Sequence, residues 1–139
     1  MKETHSDKKK TSILIVEDDQ SLLAALVDKF TREGFAVRRA ANGVTGLAEA
    51  VTSHPDIILL DILLPEMDGL ELLQKLRKQD DWGKEVPVIF LTNVSPNTDR
   101  IIARIAEDEP AYYLVKSDFL LSDVVGKVNE RLAQNAAES

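Results

Sequence analysis

Four short apolar runs constrain this chain more than any other feature: Ile13-Leu14-Ile15-Val16, Ile57-Ile58-Leu59-Leu60, Val86-Pro87-Val88-Ile89-Phe90-Leu91 and Tyr112-Tyr113-Leu114-Val115. None alternates apolar with polar residues. A strand with one wet face alternates; a strand covered on both faces does not, and parallel sheets are covered on both faces. Pro87 stands near the start of its run, where a strand tolerates a missing N–H. A fifth run, Phe35-Ala36-Val37-Arg38-Arg39, is weaker, and its polar second half reads as an edge strand. Helical periodicities fill the gaps. Leu22, Leu23, Leu26, Val27 and Phe30 share a face, with Asp19 or Ser21 as cap and Gly34 as stop. Val44, Leu47, Ala48 and Val51 form a second stripe, and Leu70, Leu73 and Leu76 a third. Ile101, Ile102 and Ile105 form a fourth, and Leu121, Val124, Val125, Val128 and Leu132 a fifth. The order βαβαβαβαβα implies right-handed crossovers and an α/β, doubly wound parallel sheet with helices on both faces.

Composition removes several function classes. A chain of 139 residues makes about one domain. Its 17 Lys and Arg against 24 Asp and Glu leave a net charge of −7, the wrong sign for a nucleic-acid or anionic-membrane surface. There is no cysteine, so disulfides, thiol catalysis and thiolate metal sites are out. His5 and His54 are too few for a multi-histidine zinc site. No apolar run approaches the roughly 18 residues of a membrane span. The first residues lack the apolar stretch of a secretion signal, so a cytoplasmic location is expected. Residues 1–11, with Lys8-Lys9-Lys10, read as a polar, flexible N-terminal tail.

Each strong run ends in a residue capable of chemistry. The first ends in Glu17-Asp18-Asp19, the second in Asp61, the third in Thr92 and the fourth in Lys116. In a parallel sheet these ends gather at one edge, where such folds bind ligands. Glu17, Asp18 and Asp61 would crowd three carboxylates together, which costs stability unless a cation joins them. Carboxylates with water and a backbone carbonyl suit Mg²⁺. Asp61 could then serve as a nucleophile of the aspartyl-phosphate type. Lys116 and Thr92 would hold phosphoryl oxygens, which is the positioning and charge stabilisation that phosphoryl transfer needs.

Taken singly, each residue has an ordinary explanation. An acidic run is most often a helix N-terminus, and Asp19 fits that role. A lone Thr or Lys after a strand is usually solvated, and an Asp before Ile-Leu-Leu-Pro can be a turn residue. Their joint occurrence, one at each strand end, favours the functional reading.

The segments ILIVEDD, LLDILLPEMDGLELL, VIFLTN and YYLVKSDF resemble the receiver domain of two-component response regulators, of the chemotaxis-regulator type. The acidic pair, D-x-x-x-P-x-M-D-G and the strand-end Thr and Lys together form a specific signature. The resemblance covers residues 12–135 and leaves 136–139 as a C-terminal tail. It implies a five-stranded, flavodoxin-like three-layer sandwich with strand order 2-1-3-4-5. It also implies that Asp61 accepts a phosphoryl group from a sensor histidine kinase or histidine phosphotransfer protein. Asp18 and Asp61 would ligate Mg²⁺, with Glu17 acting through water and the Leu63 carbonyl completing the set. Thr92 and Lys116 would contact the phosphoryl group. Tyr113 matches the family's rotating aromatic, which fills space that Thr92 vacates. The output face would be the fourth helix, last strand and last helix, through which some members form homodimers and bind downstream targets. Pro65, Met67, Asp68 and Gly69 read as structural.

Four departures accompany the resemblance. Ser117 follows Lys116 where the family usually has Pro, often after a cis bond; a cis bond to Ser would cost about 2.5–4 kcal/mol. Asn93 stands where Ala or Gly is usual, narrowing the approach to the site or adding an amide to it. Glu107-Asp108-Glu109-Pro110 replaces a Gly-Ala approach and would put acidic charge near the output face. Leu63 and Val94, two residues after Asp61 and Thr92, are apolar and would exclude water, lengthening the phosphoryl lifetime.

Other classes fit less well. A phosphatase of the haloacid-dehalogenase type needs an Asp where Leu63 stands. A flavodoxin-like cofactor binder needs a small polar phosphate loop where Glu17-Asp18-Asp19 stands. A degenerate receiver that acts only as an interaction module is the runner-up, kept open by Asn93 and Ser117. The chain is a single-domain regulator or a piece of a longer one.

Overall fold

A computed structural model describes residues 10–138. Most of the expected N-terminal tail lies outside the described residues. Five strands form one parallel sheet: β1 (Ser12–Val16), β2 (Ala36–Ala40), β3 (Ile57–Leu60), β4 (Val88–Thr92) and β5 (Tyr112–Val115). Their order is β2-β1-β3-β4-β5, as the resemblance implied. The helices are α1 (Gln20–Arg32), α2 (Gly43–Ser53), α3 (Gly69–Arg77), α4 (Asp81–Glu85), α5 (Asp99–Asp108) and α6 (Leu121–Glu138). A 3₁₀ turn covers Lys116–Asp118. The last helix runs through Glu138, past residue 135.

The sheet divides the core in two. Leu14, Val16, Ile58, Leu60 and Phe90 face α2, α3 and α5. Ile13, Ile15, Leu59, Ile89 and Leu91 face α1 and α6. Both faces of the central strands are therefore covered, which is why their sequences do not alternate. Each fully buried Leu, Ile or Phe contributes about 1.5–3 kcal/mol. β2 is an edge strand with exposed arginines, and its Phe35 neighbour stays in the core, edge-on to Phe30 at 5.1 Å.

Three readings of the sequence need correction. β4 begins at Val88, two residues later than its apolar run. Val86 instead closes α4, a short helix absent from the periodicity; its N–H bonds to the Trp82 carbonyl. In α2 the inward face carries Gly43, Gly46 and Ala50, while Val44 is 47% exposed and Ala48 also faces out. The cause is close packing: a Cβ on Gly43 would sit 1.7 Å from the Met67 carbonyl oxygen. Ile102, placed in the fourth stripe, is 54% exposed, and only Ile101 of that stripe is fully buried.

Asp19, not Ser21, caps α1, its carboxylate accepting from the Leu22 N–H at 3.1 Å. Among the described residues no helix is long and apolar enough to cross a membrane.

Candidate functional site

Strand register assembles the site. Val16 is level with Leu60, so the residues after them, Glu17 and Asp61, emerge side by side. The Asp61 N–H bonds to the Val16 carbonyl at 3.0 Å and the Glu17 N–H to the Ala40 carbonyl at 3.0 Å. Thr92 is level with Val115, which delivers Lys116 to the same edge.

Lys116 joins the two buried carboxylates. Its Nζ lies 2.9 Å from Asp61 Oδ2 and 3.0 Å from Glu17 Oε1, and those side chains are only 4% and 2% exposed. Burial pushes the Lys116 pKa down, but its two carboxylate partners outweigh that and hold it above the usual lysine value. Burial also raises the Glu17 pKa, against the lowering effect of the Asp19 N–H and Lys116. The Lys116–Ser117 bond is trans, since no peptide bond among the described residues is cis. The 3₁₀ turn follows directly, so Ser117 does not keep Lys116 from the site.

Main-chain donors fix the carboxylates. Asp61 Oδ1 accepts from the N–H groups of Ile62 at 2.7 Å and Leu63 at 3.3 Å. Glu17 Oε2 accepts from the Asp19 N–H at 3.0 Å. These amides were not legible in the sequence, because a backbone donor leaves no residue-type signal. The loop after Asp61 is tightly wound. Glu66 adopts a left-handed φ of 72°, and a Cβ on Gly69 would lie 2.1 Å from the Asp61 carbonyl oxygen.

Carboxylate oxygens of Glu17, Asp18 and Asp61 lie within 4.8 Å of one another. Three negative charges face one ammonium, leaving −2 for a divalent cation to neutralise. An all-oxygen set of this kind, with Asp18 open to water, fits Mg²⁺.

Thr92 is fully buried, and its Oγ1 accepts from the Val94 N–H at 3.3 Å. Tyr113 donates its hydroxyl proton to the Val94 carbonyl at 2.7 Å and tilts against Phe90. Burial, and then the Asp61 charge, raise the Tyr113 pKa. Leu63 is 62% exposed beside Asp61, and Asn93 is exposed. The acidic stretch at 107–110 enters β5 at its N-terminal end, so it lies at the opposite edge of the sheet from Asp61.

The family model for the response regulator receiver domain matches residues 13–125. The chain belongs to the response regulator receiver family. PrrA, a transcriptional regulatory protein of Mycobacterium leprae, is 35% identical over 125 residues, which are 90% of this chain and 51% of that protein. AfsQ1 of Streptomyces coelicolor is 36% identical over 91 residues, 66% of this chain and 39% of that protein. The chain thus spans about half, or less, of the length of these curated relatives. A CheY-like receiver domain protein of Methanospirillum hungatei shares the fold with a TM-score of 0.84 and 27% identity, covering 94% of this chain and all of that one. As a receiver, the chain is a module of two-component phospho-signalling, and receivers generally bind Mg²⁺ at an acidic pocket.

Proposed function

We propose that this receiver is a phosphorylation-dependent switch in which Asp61 accepts a phosphoryl group from a phosphohistidine on a sensor histidine kinase or histidine phosphotransfer protein. The observation that carries the reading is the Lys116 ammonium held between Asp61 and Glu17, beside Asp18. Asp18, Asp61, Glu17 through water, and the Leu63 carbonyl would hold Mg²⁺, which supplies charge neutralisation for the incoming phosphoryl oxygens. An Asp61 carboxylate oxygen bonds to phosphorus while the P–N bond to the donor imidazole breaks, and the nitrogen keeps the electron pair. The Ile62 and Leu63 amides orient that carboxylate. Lys116 stabilises the added negative charge. The Thr92 oxygen already accepts from Val94, so its own proton is free to be donated to a phosphoryl oxygen.

The switch has a physical link. Thr92 and Tyr113 hold the same residue, Val94, one through its N–H and the other through its carbonyl. A shift of Thr92 toward the phosphoryl group therefore pulls on the Tyr113 contact and on the face of α5, β5 and α6. Ile102 gives that face an exposed apolar residue for a target protein or a second copy.

The test is intact mass after incubation with acetyl phosphate and Mg²⁺, alongside Asp61→Asn and metal-free samples. One phosphoryl group is expected in the wild type only. No gain from acetyl phosphate or from a phosphorylated histidine donor would sink the reading. Decay of the added mass, compared with Leu63→Asn, tests the role of Leu63 in delaying hydrolysis; faster decay in the variant is expected.

A further inference from the structure

A groove of about 630 Å³ runs between α3 and α5, and none of Glu17, Asp18, Asp61, Thr92 and Lys116 lines it. Four of its seven lining residues are cations: Lys75, Lys78, Arg100 and Arg104. That balance is the reverse of the whole chain, which carries a net charge of −7. The cations stand in two rows, Lys75 on α3 with Lys78 at its C-cap, and Arg100 and Arg104 on α5. Residues three or four apart on a helix share a face, so each row presents its charges one turn apart.

The cations are only partly neutralised. Lys75 reaches Glu71 at 3.9 Å, the long limit of an ion pair. Lys78 makes no ion pair among the described residues. Arg100 is held at 2.6 Å by Asp68, and Arg104 at 2.6 Å by Glu107 and at 3.7 Å by the buried Asp108. The pairs to Glu71, Asp68 and Glu107 are exposed on at least one side, and such pairs are worth little, so carboxylates of another chain can replace them.

We propose that the α3–α5 groove is a docking surface for an acidic polypeptide segment of a separate protein, one presenting carboxylates at helical spacing to the two cationic rows. The argument is charge complementarity, and it does not depend on Asp61 accepting a phosphoryl group. Guanidinium and ammonium groups facing each other across a groove favour a ligand that is negative along its length. Docking there would also compete with Asp68 for Arg100. Asp68 caps α3 directly after the Asp61 loop, so an occupant would bear on the seating of α5.

The test is fluorescence anisotropy at low salt with the full chain and a fluorescein-labelled Glu-rich helical peptide, against a Gln-substituted control peptide. Lys75→Glu with Lys78→Glu is the groove variant. Lys84→Glu with Lys127→Glu makes the same charge change outside the groove. Saturable binding of the Glu peptide alone is expected, weakened about tenfold or more in the groove variant and much less in the other. Backbone amide shifts should then map to α3 and α5. No binding, equal losses in both variants, or shifts confined elsewhere would overturn the proposal. So would tighter binding of an oligonucleotide of equal charge, which would make the groove a general polyanion surface. Circular dichroism of each variant establishes that it is folded before the comparison is made.

Discussion

Removing the Lys116 ammonium would leave Glu17 and Asp61, 2% and 4% exposed, facing each other without a cation. Breaking a buried pair from one side is costly because the partner charge stays buried. Lys116→Met should therefore lose about 3 kcal/mol of stability without metal, read as a lower urea midpoint. Burial already raises the Glu17 pKa, and loss of Lys116 raises it further. A raised folded pKa means stability is lost as pH rises, here from about the ordinary value of 4.5 upward through the folded value. The deficit should accordingly shrink in acid. Added Mg²⁺ should recover part of it at neutral pH, and an unchanged midpoint with metal would count against a cation site. That Glu17, Asp61, Thr92 and Lys116 share one edge of the sheet was legible because each closes a strand whose sequence marks it as buried. The amides that aim them were not, whereas the cost of a cis bond before Ser117 was legible, and that bond is trans and opens a 3₁₀ turn.

At the scale of elements, α5 is the least well seated long helix. It buries only Ile101 and Asp108, whereas α3 buries five residues. It also ends in Glu107 and Asp108, with Glu109 as its left-handed cap, although helix C-termini favour cations. Asp108 Oδ2 has no hydrogen bond, and Arg104 stands 3.7 Å away. Burial raises the Asp108 pKa, with Arg104 opposing. The folded state then holds this proton more readily than the unfolded one, so stability falls as pH rises from about 3.8 through the folded value. Asp108→Asn should be more stable than wild type near neutral pH, by about 1 kcal/mol, with the gain shrinking toward acid. Urea midpoints across pH check this; a less stable variant at neutral pH would mean that Arg104 outweighs burial. Apolar periodicity missed this weakness because it counts only apolar residues. It misread α2 for a related reason: which face is inward there is set by the Met67 main chain and Val16, which only glycines can meet. It missed α4 because that helix is short and polar, held by the Asp80 cap and by Gly83 packed on the Leu76 carbonyl.

Across the whole molecule, the sheet separates two ends with different tasks. The C-terminal ends of the strands carry the charged site, and toward the opposite end an arginine ties several segments together. Arg77, at the end of α3, donates to the carbonyls of Gly83 at 2.9 Å, Val86 at 2.7 Å, Asp108 at 2.8 Å and Glu109 at 3.3 Å. It thereby ties α3 to the segment entering β4 and to the loop entering β5. Burial lowers its pKa, with Asp108 and Glu109 opposing. Arg77→Leu keeps much of the side-chain volume but strands buried carbonyls, each unmet group costing about 1–3 kcal/mol. Some would find water, so a total loss of about 2–4 kcal/mol is expected in urea denaturation. The strand ends that carry Glu17, Asp61, Thr92 and Lys116 make no contact with this guanidinium. Phosphoryl uptake from acetyl phosphate, measured by intact mass and normalised to the folded fraction, should therefore stay near the wild-type value. If uptake fell with stability restored by a compatible osmolyte, the two ends would be coupled through α3 and α5, and the base of the sheet would belong to the switch.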